Sequence, residues 1–278
     1  MVMKKGFWII LCMFFIPLVT FAGNMKLHYD RPAEYFEEAL VIGNGTMGAT
    51  LYGGVKKDKI SFNDITLWTG EPESENSSPD AFNVIPEIRA LLDNEDYEGA
   101  DKAQYKVQGH YSENYQPLGT LTIEYLDDTA GISDYHRWLD IGNATARTQY
   151  LKDGKLFTSD YFASAPDSVI VIRLKSENKE GIHALLSFDS PLPHSSQVAD
   201  NEISVEGYAA YHSFPVYYKA EDKHRYDPER GIHFKTLVRV LSVDGSVKNR
   251  YSDSRIEIDG STEVLILIAN VTSFNGFD

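Results

Sequence analysis

ATARTQYLKDGKLFTSDYFAS, residues 144–164, sets two runs rich in Thr, Tyr and Phe on either side of an Asp-Gly pair. Asp153 and Gly154 tolerate the positive φ that a two-residue β-turn requires, and β-branched and aromatic residues favour the pleated flanks. The stretch predicts two antiparallel strands joined by a tight hairpin. The same punctuation recurs at Asp244-Gly245, after HFKTLVRVLSV, and at Asp259-Gly260, between SRIEID and STEVLILIANVTSF. Each pair is expected to close a further hairpin.

Working outward, GATLYGG, LGTLTIEYL, DSVIVIRLKS and IHALLSFDS also carry a period of two and strand-forming residues. KKDKISFND, just before FNDITLWTG, lacks apolar alternation, and the acidic, proline-bearing EPESENSSPD follows it. One segment breaks the strand pattern. In FNVIPEIRALLDNEDYEGADKAQYKVQG, Ile85, Ile88, Leu91 and Leu92 recur at helical spacing, and Ala100 and Ala103 continue into a second short helix. The chain is therefore expected to be all-β, a large antiparallel β-sandwich with a short helical insertion. KAEDKHRYDPERG reads as a polar, solvated loop or a lid, and no tandem repeat or heptad pattern is present.

The first residues point to export. MVMKKG is a short basic start, FWIILCMFFIPLV an apolar run and TFA, ending at Ala22, a small-residue cleavage site. The run is about thirteen residues long, against the roughly 20 of a membrane-spanning helix, so a secretory signal peptide over residues 1–22 is expected. The mature chain, 23–278, is then expected in the periplasm or outside the cell. The one cysteine, Cys12, lies inside the leader, which leaves the mature chain without thiols or disulfides, stabilised by burial alone. Formal charge is −15 over 278 residues. That balance argues against nucleic acid and, once the leader is removed, against an anionic membrane surface. Aromatic content is 12%, Tyr leading, which suits sugar binding and β-rich cores equally.

The usual catalytic signatures are missing from the sequence. The eight histidines are scattered, with no helical pair around a glutamate that would bind zinc, and no metal or cofactor is expected. There is no G-x-S-x-G elbow and no phosphate loop. VIGNGTMGATLYGG resembles a phosphate cradle, but a strand follows it instead of a helix. A tight turn with Gly43, Gly45 and Gly48, in which Asn44 bonds adjacent main chain, fits better, either as pure structure or bordering a site. Glycoside hydrolysis needs two facing carboxylates. Glu37, Glu38, Asp64, Glu71, Glu113, Glu124, Asp127 and Asp128 are available, yet spacing marks out no acid and base among them.

Four separated blocks carry a family resemblance: ALVIGNGTMGATLYGGVKKDKISFNDITLWTGEP, NYQPLGTLTIEY, YHRWLDIGNATARTQYLKDGKLFTSDYFASAPDSVIVIRL and ANVTSFNGFD. Together they resemble the amino-terminal domain of the inverting alpha-L-fucosidases of glycoside hydrolase family ninety-five. Asn63, Asp64, Thr66, Leu67, Trp68 and Gly70 match that family's pattern, whereas Ile65 stands in place of an acid and Thr69 in place of a serine. The resemblance implies a β-sandwich of the supersandwich kind, followed by a linker and a helical (α/α)6 barrel. It implies removal of terminal alpha-1,2-linked L-fucose, or of L-galactose in some members. A glutamic acid and an asparagine-assisted aspartate of the barrel do the chemistry, with no metal.

This sequence stops at Asp278, about where that linker begins. The resemblance thus implies a domain with no catalytic residue of its own, partnered by the barrel in cis or encoded separately, with a fucosylated glycan as possible ligand. A free-standing carbohydrate-binding module is the alternative, and a purely structural exported β-protein a third. Trp68 either packs on the helical insertion or stacks on the apolar face of a sugar. Asn63 either caps a turn or bonds sugar hydroxyls. In QGHYSENYQPLG, the residues that would face a cleft are His110, Tyr115 and Gln116.

Overall fold

The computed structural model describes residues 25–72, 80–109 and 111–276; the expected leader and His110 lie outside the described residues. No helix among the described residues is long and apolar enough to cross a membrane.

In chain order the strands are β1 Lys26–Tyr29, β2 Leu40–Gly43, β3 Met47–Leu51 and β4 Lys57–Asp64, then helices α1 Ala81–Asp93 and α2 Tyr97–Gln104. There follow β5 Gly119–Tyr125, β6 Ile132–Asp140, β7 Thr145–Lys152, β8 Lys155–Ser164, β9 Val169–Ser176 and β10 Ile182–Asp189. The remainder comprises β11 His194–Ala199, β12 Glu202–Tyr208, β13 His212–Ser213, β14 His224–Arg225, β15 His233–Ser242, β16 Ser246–Arg250, β17 Arg255–Ser261 and β18 Glu263–Thr272. A nine-stranded sheet runs β1-β6-β7-β8-β9-β18-β15-β12-β11 and a seven-stranded sheet β16-β17-β10-β5-β4-β3-β2, with β13 and β14 forming a separate ribbon. Every pairing among them is antiparallel.

The sheets pack face to face, as the all-β reading requires. Ile60, Phe62, Leu121, Ile123, Leu186 and Ile256 of one sheet join Ile170, Ile172, Leu174, Val238, Val240, Ile266 and Ile268 of the other in one buried cluster. Each such side chain contributes roughly 1.5–3 kcal/mol on burial, set against the entropy of ordering its strand.

The first Asp-Gly pair is the hairpin expected of it: φ is 50° at Asp153 and 73° at Gly154, and Lys152 pairs with Lys155. The other two are corrected. β15 and β16 lie in different sheets, so Asp244-Gly245 turns a corner between sheets, whereas Asp259-Gly260 lies inside β17 at a bulge opposite Ile182 and His183, before the chain crosses to β18 in the other sheet. In each pair only the glycine has a positive φ, 67° at Gly245 and 74° at Gly260, whereas a type I′ turn needs it twice. Gly260 is crowded from two sides: an added Cβ would sit 2.4 Å from its carbonyl carbon at Gly181 and 2.6 Å from it at Gly245.

KKDKISFND is also corrected, because it supplies β4, whose burial alternates without a break. Its inward residues are Asp58, Ile60, Phe62 and Asp64. Two of the four are carboxylates, which erased the apolar period from the sequence. Both are nearly fully buried, Asp58 at 1% and Asp64 at 4% exposure.

The helical insertion forms as read. Asp96 caps α2 by accepting a hydrogen bond from the Gly99 N–H at 2.9 Å, and Ala100 and Ala103 are buried. Ile85 and Leu92 of α1 remain exposed, so its apolar stripe is only partly used. In the β2–β3 turn, Asn44 Oδ1 accepts from the Thr46 and Met47 N–H groups at 3.0 and 2.8 Å, as expected of it. Its Nδ2 donates to Ser164 O at 3.0 Å, which ties the turn to the end of β8.

Candidate functional site

At one end of the sandwich β4, β12 and β18 finish and β5 and β15 begin, so the loops 65–72, 111–118 and 209–232 converge there. The first loop is anchored between the sheets. Asp64 accepts from the Thr66 N–H at 2.9 Å and hydroxyl at 2.7 Å, and its other oxygen accepts from Asn270 Nδ2 at 2.9 Å. Asn270 in turn accepts from the Thr236 hydroxyl at 2.7 Å, and the Thr66 and Thr272 hydroxyls share a bond of 2.6 Å. With three donors this buried carboxylate is well satisfied, and it clasps β4 to β18.

Leu67, fully buried, plugs the core under the loop. Next to it the chain pairs with the second loop: Gln116 N–H donates to Leu67 O and Thr69 N–H to Asn114 O, each at 2.9 Å. This bridge sets Trp68 opposite Tyr115, with ring centroids 5.3 Å apart and planes tilted by 48°. Trp68 is 42% exposed and Tyr115 44%, and the indole N–H is satisfied by Ile65 O at 3.0 Å. Burial raises the Tyr115 phenol above its ordinary value, opposed by a hydrogen bond with Asn63, so the hydroxyl stays neutral at ordinary pH. Asn63 Nδ2 donates to Gln116 O, and Gln116 Nε2 to Asn114 O and Tyr115 O, all at 3.3 Å. The amides hold main chain in place, while the two rings face outward.

Glu113 anchors the third loop. It accepts from the Thr69 hydroxyl, from His212 Nδ1 at 2.8 Å and from the Ser213 N–H at 3.0 Å. Asn114 Nδ2 donates to the Ser213 hydroxyl at 2.8 Å, and that hydroxyl shares a 2.7 Å bond with His224 Nδ1. Gly70 N–H donates to Ala210 O at 2.9 Å. At the rim Arg230 forks onto Glu71, whose carboxyl this bond holds below its usual range, and lies 3.6 Å over the Tyr211 ring. An open groove of about 420 Å³ flanks this end, its lining including Tyr208, Pro228, His233 and Lys235.

Four of the five residues singled out in the sequence, Asn63, Trp68, Tyr115 and Gln116, come together in this cluster; His110 lies outside the described residues. Sequence reasoning gave no role to Glu113, His212 or Ser213, whose partners stand 99 and 100 positions apart. Besides the polar run KAEDKHRYDPERG, the crowding of Tyr, Phe and His in YAAYHSFPVYY is a readable signal for the third loop. The arrangement offers rings and neutral hydrogen-bonding groups. Its two inner carboxylates, Asp64 and Glu113, serve as clamps, each accepting three hydrogen bonds. Among the described residues no group of three His, Cys, Asp or Glu is placed to hold a metal ion.

A family model described as "Glycosyl hydrolase family 65, N-terminal domain" matches residues 27–276. The chain is similar to "Alpha-L-fucosidase 2" of Arabidopsis thaliana, 28% identical over 259 residues that cover 91% of this chain and 31% of that protein. It is also similar to proteins named "Probable alpha-fucosidase A". The one from Aspergillus niger is 28% identical, covering 95% of this chain and 32% of that protein. The one from Aspergillus oryzae is 23% identical, covering 86% and 32%. This chain spans about a third of the length of the curated relatives it matches. With nearly every described strand inside the matched span, the chain belongs to the family of glycosyl hydrolase family 65 N-terminal domains.

Proposed function

We propose that this chain is the exported, non-catalytic amino-terminal domain of a glycoside hydrolase resembling the inverting 1,2-alpha-L-fucosidases of family ninety-five. It buttresses a helical-barrel catalytic domain, in cis or separately encoded, and its converged loops wall the substrate cleft. The observation that carries the reading is the naming of its relatives: three curated proteins called alpha-fucosidases align with 91%, 86% and 95% of this chain.

The loop end supports the same reading in physical terms. An indole and a phenol presented side by side suit the C–H faces of a pyranose ring. Each of the carboxylates beneath them is engaged by three donors from the protein, and an oxocarbenium-like transition state needs a free acid and a free base flanking the scissile bond. The clamped carboxylates fit a cleft wall whose chemistry is supplied by another domain.

The test is release of L-fucose from 2′-fucosyllactose, assayed with this chain alone and with the chain joined to the polypeptide encoded downstream. Release by the joined protein and none by the chain alone is expected. Release by the isolated chain, free of contaminating enzyme, or none by either form, would overturn the reading.

A further inference from the structure

Residues 211–225 fold into a strap that the known relatives' names do not account for. Its base is built. The β13–β14 ribbon is closed by Tyr211 N–H donating to Arg225 O and Phe214 N–H to Lys223 O, both at 2.9 Å, and Glu113 pins it from the neighbouring loop. Phe214 stacks on Tyr218 with centroids 4.7 Å apart and planes 14° from parallel, and His212 meets Phe214 edge-on at 4.5 Å. Tyr218 N–H donates to Pro215 O at 2.9 Å and Lys223 Nζ to Val216 O at 2.7 Å, which fixes the turn at the tip.

On this base the outer rings are left open. Tyr217 is 75% exposed, Tyr111 45% and Tyr218 39%, and Tyr111 lies 6.3 Å from Tyr217 and 5.3 Å from Tyr218. Tyr111 comes from the loop before Glu113, so two chain segments 106 positions apart in sequence supply one aromatic surface. Tyr217 and Tyr218, carried by the ribbon, and Tyr111, packed against both from the loop before Glu113, keep much of their ring surface open and contribute little to stability where they stand. Their mutual ring contacts and the ribbon's hydrogen bonds limit the entropy they lose on meeting a ligand.

We propose that Tyr111, Tyr217 and Tyr218 form a platform that binds a neutral oligosaccharide, beside and separate from the Trp68–Tyr115 pair. Rings of this kind stack on the apolar faces of sugars while their hydroxyls bond sugar hydroxyls. Within the strap Lys219, Lys223 and Arg225 offset Glu221 and Asp222, and the chain as a whole carries −15, so the rings, with no concentrated cationic patch beside them among the described residues, suit a neutral glycan. The platform does not depend on the fucosidase reading, since it needs only a neutral glycan and no particular terminal sugar.

Calorimetric titration of the purified chain with maltohexaose, cellohexaose and 2′-fucosyllactose tests this, with hyaluronan hexasaccharide as the anionic control. Binding of at least one neutral sugar at millimolar concentration or below is expected, weakened about tenfold or more in Tyr217→Ala and in Tyr111→Ala. Both variants are expected to keep the wild-type melting temperature. No heat from any neutral sugar at millimolar concentration, equal binding of the anionic control, or affinities unmoved by both tyrosine variants would overturn the proposal. None of these outcomes bears on fucose release by the joined protein, so the two readings fail separately.

Discussion

Strand β4 carries a buried aspartate near each end, and the two mark ends of the sandwich built on opposite principles. Asp58 sits at the closed end, among short turns. It accepts from the Gly54 N–H at 2.9 Å and from the Tyr161 hydroxyl at 2.8 Å, and burial, its largest influence, pushes its pKa up to about 6. Asp64, six residues on, sits at the open end and meets Thr66 and Asn270, beneath loops that hold exposed rings. The same side chain, equally buried, closes the core at one end and at the other fastens a platform for loops. What separates them is the length of the connections. Where the chain turns in two residues, no surface is left over. Where it takes twenty or more residues between neighbouring strands of a sheet, as from Tyr208 to His233, polar clamps such as Glu113 hold loops that the core reaches only at residues such as Leu67 and Ala209.

The contrast can be broken first at the closed end. Gly181→Val places a β-branched residue at φ +77° with its Cβ against the Gly260 backbone. Left-handed strain and overpacking together are expected to cost roughly 3–5 kcal/mol, read as a fall in the urea midpoint. In the open-end loops the tightest such contact, Gly70 against Glu113 Cγ at 2.7 Å, is with a side chain and not with backbone.

Asp58→Asn comes next in size and separates the two aspartates by pH. The folded pKa of Asp58, about 6, stands above the ordinary 3.8, so the folded state holds the proton more tightly. Its effect on stability is absent below pH 3.8, grows as pH rises, and is complete above about pH 6 as a deficit of about 3 kcal/mol. Chemical denaturation of the wild type is therefore expected to show stability falling between these values from this group. Asp58→Asn should remove that slope, and a slope left unchanged would count against the raised pKa.

Smaller effects are expected at the open end. Glu113→Gln replaces one of the two carboxylate oxygens that accept from Thr69, His212 and Ser213 with a donating amide nitrogen, at a cost of about 1–2 kcal/mol. The loss should show as faster proteolysis within 211–225 with the two sheets intact. Trp68→Ala is the mildest for the fold, under about 1 kcal/mol because the ring is 42% exposed. It is expected to lower fucose release by the joined protein nonetheless. A loss near 3 kcal/mol would identify Trp68 as core.

The sequence was most legible where local chemistry and long-range structure agree. In residues 144–164, turn residues and alternation both specify a hairpin, and β7 and β8 form as read. At Asp244-Gly245 the glycine announces a turn, but nothing local says whether the next strand rejoins the same sheet, and at Asp259-Gly260 the same pair makes a bulge inside β17. β4 escaped because its inward aspartates are paid for by partners far along the chain, Tyr161 and Asn270, which periodicity cannot see. The candidate site divides the same way. FNDITLWTG and NYQPLG pointed to Trp68 and Tyr115, whereas the Glu113–His212 clamp joins loops 99 positions apart and leaves no mark on either.

Hydrogen–deuterium exchange of the joined protein, with and without saturating 2′-fucosyllactose, tests the division of labour between the two ends most directly. Protection is expected in the loops 65–72, 111–117 and 209–232, with none at the turns 153–154, 181, 244–245 and 260. Protection at the closed end with the open loops unchanged would contradict it.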